Sequence, residues 1–157
     1  MNSKQFTIVS ERAMISLGLQ MSVRIHSGIT VFLRGPLAAG KTTFARGWLR
    51  GRDYDGAVKS PTFTIVESYE MTSPPVHHFD LYRLAGGLEL ELIGIDDYFA
   101  NGTDVLIEWP ERGVEVLPKP DLEINYEIID EVRVVKICTN NRTLYSLVES
   151  IDLVKLK

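Results

Sequence analysis

The chain has 157 residues, 45% of them hydrophobic, and a formal net charge of −4. That length suits one ordinary domain with a single core, and the acidic balance gives the whole molecule no electrostatic pull toward nucleic acid or an anionic membrane. The lone Cys138 excludes an internal disulfide, no apolar run approaches the ~18 residues of a membrane helix, and the N-terminal MNSKQFTIVSERA lacks the layout of a signal peptide. A cytoplasmic, single-domain protein over residues 1–157 is expected.

Residues 5–9, QFTIV, predict a short strand. Ser10 then caps a helix whose buried face is marked by Ala13, Met14, Leu17, Met21 and Ile25. His26-Ser27-Gly28 is expected to end it. The run ITVFLR, residues 29–34, has the continuous apolar character of a strand covered on both faces. A helix is expected over 41–50 with Gly51 as its stop, then a loop over 51–61. TFTIVESYE (62–70) predicts a strand, TSPP (72–75) a turn, and VHHFDLYRL (76–84) a second strand broken by Gly86-Gly87. LELELIGIDDYF (88–99) reads as one or two short helices, DVLIEW (104–109) as another buried strand, and LPKPD (117–121) as a stiff linker. Alternation at Leu122, Ile124, Tyr126 and Ile128, and again at Val132, Val134 and Cys138, predicts a hairpin turning near Asp130-Glu131. Leu144, Leu147, Val148 and Ile151 predict a closing helix. Strands alternating with helices argue for an α/β fold, and the hairpin argues that its sheet is mixed.

GPLAAGKTT, residues 35–43, stands between a buried strand and a helix. Gly35, four residues, Gly40, Lys41 and Thr42 meet the phosphate-loop pattern G-x-x-x-x-G-K-[ST]. Glycines let the chain wrap closely around phosphate oxygens, and the helix start offers N–H donors and a positive partial charge. The pattern assigns nucleotide contact to Gly35, Leu37, Ala38, Ala39, Gly40, Lys41, Thr42 and Thr43. Lys41 is expected to reach the β- and γ-phosphates and the Thr42 hydroxyl to ligate Mg²⁺. Pro36 has no N–H, but the main donors are expected from Ala39 to Thr42. If position 38 requires φ > 0, alanine there costs about 1 kcal/mol against glycine, and weakened nucleotide binding is the expectation.

Such a site needs a carboxylate at the end of a neighbouring strand. Glu108 is assigned to the metal shell. Asp80 is assigned to positioning or deprotonating the attacking water, and the two roles are exchangeable at this stage. Thr62 in SPTFT (60–64) is the expected γ-phosphate sensor, with Pro61 stiffening the approach. Trp109 is placed either on the site wall or in the core. His77 and His78 must face opposite sides of a strand, one packed and one exposed. No arginine stands out as a finger; Arg83 and Arg112 are candidates, so hydrolysis is expected to be slow without a partner.

GPLAAGKTTFARGWLRG, VKSPTFTIVESY, HHFDLYRL, ELELIGIDDYF and VLIEWPERG, in this order over about residues 30–118, resemble the TsaE family of bacterial P-loop ATPases. The resemblance implies a P-loop NTPase-type three-layer fold with a mixed, mostly parallel sheet. It implies ATP and Mg²⁺ as ligands and ADP as product. It implies action beside TsaB and TsaD, which modify adenosine 37 of tRNA, with tRNA itself reached indirectly. The matching positions are Lys41, Thr42, Thr62, Asp80, Glu108 and Trp109. The family loop usually reads G-[DE]-L-G-[AS]-G-K-T-T, so Pro36 and Ala38 are departures. No motif marks an adenine pocket; the start of the first helix, around Glu11, is the expected position. Two other readings stay open: a scaffold that holds nucleotide with little hydrolysis, and a small-molecule P-loop kinase, for which no arginine-rich lid is visible.

Overall fold

A computed structural model describes residues 1–26, 28–100 and 102–153. Ser27, in the expected helix stop, lies outside the described residues. The order is β1 (Asn2–Ile8), α1 (Glu11–Arg24), β2 (Thr30–Arg34), α2 (Lys41–Arg50), β3 (Val66–Tyr69), β4 (Val76–Asp80), α3 (Gly87–Leu92), a 3₁₀ turn at Ile95–Phe99, β5 (Asp104–Glu108), a 3₁₀ turn at Pro110–Arg112, β6 (Leu122–Ile129), β7 (Val132–Thr139) and α4 (Arg142–Glu149). Among the described residues no helix is long and apolar enough to cross a membrane.

Local chemistry explains the boundaries. Ser10 accepts the Ala13 N–H at 3.1 Å, and Asn141 caps α4 through the Leu144 N–H. Ala13, Met14, Leu17 and Met21 form the buried face of α1. α1 and α2 pack so closely that a Cβ on Gly47 would collide with the Ile15 carbonyl.

Seven strands form one sheet in the order β1-β7-β6-β2-β5-β4-β3. The pairings of β6 with β2, β2 with β5 and β5 with β4 are parallel; β1 with β7, β7 with β6 and β4 with β3 are antiparallel. Parallel pairing therefore occupies the centre but only half the sheet, not most of it. The hairpin β6–β7 and its added neighbour β1 contribute the excess. One core, including Leu17, Phe44, Trp48, Leu106 and Ile124, joins one sheet face to α1, α2 and α4. A second, including Phe32, Phe79, Leu90 and Ile107, lies under α3 and the 95–99 turn. The three expected layers are present.

Two expectations change. The strand predicted over 62–70 is confined to Val66–Tyr69, because residues 62–64 turn and Ile65 takes φ 69°, with its N–H bonded to the Pro61 carbonyl at 2.7 Å. His77 and His78 do face opposite ways, but both are buried, since β4 is an interior strand covered on both sides. His77 meets Ser68 Oγ at 2.8 Å and the Tyr98 ring edge-on.

Candidate functional site

The centre of the sheet aims three elements at one point. β2 runs into the loop 35–40, and α2 leaves it at Lys41. Gly40 sits at φ 100° as the N-cap of α2 and supplies no side-chain cap. The opening N–H groups of α2 are thus left for another acceptor, as an anion-binding helix start requires. Next to β2 lies β5, with Leu33 opposite Glu108, and next to β5 lies β4, with Asp80 opposite Glu108. Alternation along these strands puts His78, Asp80 and Glu108 on the sheet face that carries α2.

The contacts follow from that register. Thr42 Oγ1 donates to Glu108 Oε1 at 2.8 Å, tying the helix start to the strand end. Lys41 Nζ folds back onto the carbonyls of Gly35 (2.6 Å) and Pro36 (2.8 Å) and stands 4.4 Å from the centre of the Trp109 ring. Burial lowers the Lys41 pKa from its ordinary value, and the charges of Glu108, Asp80 and Glu111 oppose that shift. Both Asp80 oxygens are engaged: Oδ2 accepts the Ser60 and Thr62 hydroxyls, the latter at 2.9 Å, and Oδ1 accepts the Tyr82 N–H at 2.9 Å. It holds the 60–64 segment against the site.

A cleft of about 370 Å³ collects Leu37, Ala38, Ala39, Gly40, Lys41, Thr42, Thr43, Thr62, Asp80, Glu108 and Trp109, together with Ser60, Tyr82 and Arg83. Gly35 lies behind the loop, where a Cβ would crowd Tyr126. Trp109 belongs to the cleft wall and is held there by φ 57°. Arg83 stacks over Phe63 at 4.0 Å, whereas Arg112 stacks over Tyr82 at 5.5 Å.

Glu11 is not in this cleft. It borders a second one, of about 320 Å³, across the loop, with Val9, Met14, Arg46, Glu131 and Arg133. The two clefts share Ala38, Ala39, Gly40 and Thr43, so a ligand lying along the loop enters both. Glu11 is paired with Arg46 at 3.0 Å. Sequence reading named none of Val9, Met14, Arg46 or Arg133 for the site, nor Ser60 or His78. The second cleft is assembled from the end of β1, the start of α1, α2 and the β6–β7 turn, and no local pattern announces such an assembly.

Ala38 has φ 63°. The left-handed geometry is therefore already present in the loop, so its cost falls on folding rather than on ligand binding. We expect Ala38→Gly to leave ATP affinity within about twofold and to raise stability by under ~1 kcal/mol, because glycine's greater unfolded-state freedom offsets part of the relief. Calorimetric titration and urea unfolding check both; a large gain in affinity would show that the loop must rearrange to bind.

Strand, glycine-capped loop and helix, opening at the carboxyl edge of parallel strands, make up the phosphate-binding device of the P-loop class, and this is a P-loop protein. Comparison with known proteins narrows the class. A family model described as "Threonylcarbamoyl adenosine biosynthesis protein TsaE" matches residues 8–135. The chain is 42% identical over 135 residues to the tRNA threonylcarbamoyladenosine biosynthesis protein TsaE of Haemophilus influenzae, covering 83% of this chain and 85% of that one. It is 37% identical over 132 residues to the protein of the same name from Streptomyces coelicolor, covering 79% and 88%. A crystal structure of Bacillus subtilis YdiB superposes with a TM-score of 0.78 at 27% identity, covering 94% of this chain and 93% of that one. The chain belongs to the TsaE family.

Proposed function

We propose that this chain is an Mg²⁺-dependent ATPase that supports threonylcarbamoyladenosine formation in tRNA, acting in the cytoplasm as a single domain beside TsaB and TsaD. The observation that carries the reading is the bond between Thr42 Oγ1 and Glu108 Oε1, 2.8 Å long, at the mouth of a helix start that no side chain caps. A hydroxyl and a carboxylate are hard oxygen donors of the kind Mg²⁺ takes alongside nucleotide phosphates. Among the described residues no group of three His, Cys, Asp or Glu forms a separate metal cage.

On this reading the loop amides and Lys41 hold the phosphates, Thr42 and Glu108 hold the metal, and Thr62 lies where the terminal phosphate is sensed. The bound metal supplies charge neutralisation at the phosphate oxygens. Asp80 acts through the hydroxyls it already holds, those of Ser60 and Thr62, and positions the segment that faces the attacking water. Both of its oxygens already accept hydrogen bonds from that segment and the Tyr82 N–H, which supports positioning over proton abstraction. The second cleft, around Glu11 and Arg133, takes the base end of the nucleotide. Arg83 beside Asp80 is the available cation, but it is stacked on Phe63, which is 80% exposed, and that arrangement supports slow turnover alone.

The test is phosphate release from ATP by the purified chain, with and without Mg²⁺, alone and with TsaB and TsaD. We expect little release alone, none without Mg²⁺, and stimulation by the two proteins together. Nucleotide binding without turnover in every mixture would establish a scaffold instead. Transfer of phosphate to an added small molecule would establish a kinase.

A further inference from the structure

His78 is wholly buried at the middle of β4, and nothing in the phosphate-loop pattern calls for it. Its neighbours on the same sheet face are the apolar Val76 and Leu106, among which a leucine or valine would cost less than an imidazole. Yet its Nε2 lies 2.9 Å from Glu108 Oε1, the same oxygen that accepts from Thr42 Oγ1 at 2.8 Å. Both donors therefore fall on one oxygen, and Glu108 Oε2 receives no hydrogen bond from the described residues. The carboxylate is acceptor-only when ionised, so Nε2 must carry the proton. Nδ1, on the far side of the ring, is buried without a partner among the described residues. An imidazole that is a one-point donor, with its other nitrogen left unmatched, is placed for the Glu108 contact and for nothing else around it.

We propose that His78 is a positioning residue that fixes the rotation of the Glu108 carboxylate, so that Oε2 is presented to the metal at the Thr42 edge of the cleft; this rests on the reading of Glu108 as a metal-site residue. Register explains why the role falls here. In the parallel pairing of β4 with β5, His78 stands opposite Leu106 and Asp80 opposite Glu108. A side chain two residues before Asp80 shares its face and reaches diagonally to Glu108, while Asp80 is occupied with Ser60, Thr62 and Tyr82. A lysine or arginine in that place would also donate, but it would neutralise the charge that the metal needs. Imidazole orients the carboxylate as a single donor at the correct height. Partners of metal-binding carboxylates set affinity in this way, and losing one typically costs about tenfold or more.

The two side-chain amides separate positioning from packing. In His78→Gln the amide nitrogen takes the place of Nε2; in His78→Asn it takes the place of Nδ1 and falls short of Glu108. ADP affinity is measured by calorimetry for the full chain, in EDTA and in Mg²⁺, for wild type, both variants and Glu108→Gln. We expect the Mg²⁺-induced gain in affinity to fall about tenfold in His78→Asn, to be largely kept in His78→Gln, and affinity in EDTA to be unchanged in both. Should His78→Asn not fold, His78→Leu, which fills the space without a donor, takes its place. An unchanged Mg²⁺ gain in the donor-free variant, an equal loss in His78→Gln, or an equal loss in EDTA overturns the proposal. If Glu108→Gln also keeps the full Mg²⁺ gain, the metal role of Glu108 itself has failed; if Glu108→Gln loses it and the His78 variants do not, only the role of His78 has.

Discussion

Lys41→Ala is expected to lower ATP turnover by about 10²–10³-fold while leaving the chain folded. Phosphoryl transfer asks a protein mainly for positioning and for charge placed against charge, and removing one preorganised donor of that kind costs about this much. Lys41 is the cation that the fold sets deepest in the cleft. It is 4% exposed, it lies over the Trp109 ring, and it is held by the Gly35 and Pro36 carbonyls. Those two bonds are made within the loop, so the one tie between elements that alanine removes is the contact with the Trp109 ring. Urea unfolding should therefore move little while phosphate release collapses. Arginine should not rescue turnover, because a planar fork does not replace a compact ammonium in this space. A pH dependence follows from the direction of the Lys41 shift. Burial lowers its pKa below the ordinary 10.5, with Glu108, Asp80 and Glu111 opposing. The cation is lost as pH rises through that lowered value, so kcat/KM, which reports the free protein, should have a descending alkaline limb below pH 10.5. The residual activity of Lys41→Ala should lack that limb. A loss of less than tenfold would remove Lys41 from the phosphate site.

The legible parts of the molecule were those written in contiguous residues. Ser10 and the spacing of Ala13, Met14, Leu17 and Met21 announce α1 because a cap and a helical face are local properties. GPLAAGKTT announces the loop because the chemistry demands those residues at those steps. Three things were not legible. T-F-T-I-V alternates like a strand, yet Asp80, eighteen residues beyond Thr62, draws the Ser60 and Thr62 hydroxyls inward and leaves Phe63 outside, so the strand begins only at Val66. The pairing of His78 with Glu108 depends on which strands are neighbours, and that is a property of the whole sheet. The Glu11 side of the loop depends on the β6–β7 turn reaching back over α1, which no spacing within either segment encodes. Among the described residues, Ala38, Asp53, Ile65, Trp109 and Asp130 take positive φ without being glycine. Such non-glycine residues cost about 1–3 kcal/mol each and persist only where surroundings over-determine them. Ala38 and Trp109 line the cleft and Ile65 closes the 60–64 segment that borders it, whereas Asp53 and Asp130 lie in turns away from it.

Arg52→Ala destabilises the protein by about 3–5 kcal/mol, and more at neutral than at acidic pH. Arg52 is 7% exposed, and each of its three guanidinium nitrogens donates: Nε meets Asp104 Oδ2 at 2.8 Å, and the two terminal nitrogens meet the Ser22 and Ile25 carbonyls at 2.6 and 2.8 Å. Trp48 Nε1 donates to the same carboxylate oxygen at 2.8 Å. Asp104 is wholly buried, and its other oxygen has no hydrogen-bond partner among the described residues. Removing the arginine therefore leaves a buried charge supported only by the Trp48 indole N–H and, more weakly, the Ile29 backbone N–H, the situation in which breaking a buried pair costs most. Burial already raises the Asp104 pKa above the ordinary 3.8, while the bonds from Arg52 and Trp48 and the charge of Arg52 hold it back. Without Arg52 it rises further. A carboxylate with a raised folded-state pKa adds stability below its unfolded value and loses it as pH rises through the folded value. The deficit of Arg52→Ala relative to wild type should thus be full at pH 7 and shrink as pH falls into the range where Asp104 takes up its proton. Urea unfolding of both proteins across that range measures it; a deficit independent of pH would mean that lost packing, not the stranded charge, sets the cost. The consequence reaches the phosphate cleft through the geometry of two elements. Arg52 and Trp48 tie the far end of α2 to Asp104 at the start of β5, and the near end of α2 and the finish of β5 carry Thr42 and Glu108. One buried clamp thereby sets the register of helix against strand on which the 2.8 Å bond between Thr42 and Glu108 depends. Mg²⁺-dependent ADP affinity in Arg52→Ala should fall even at temperatures where the variant remains folded.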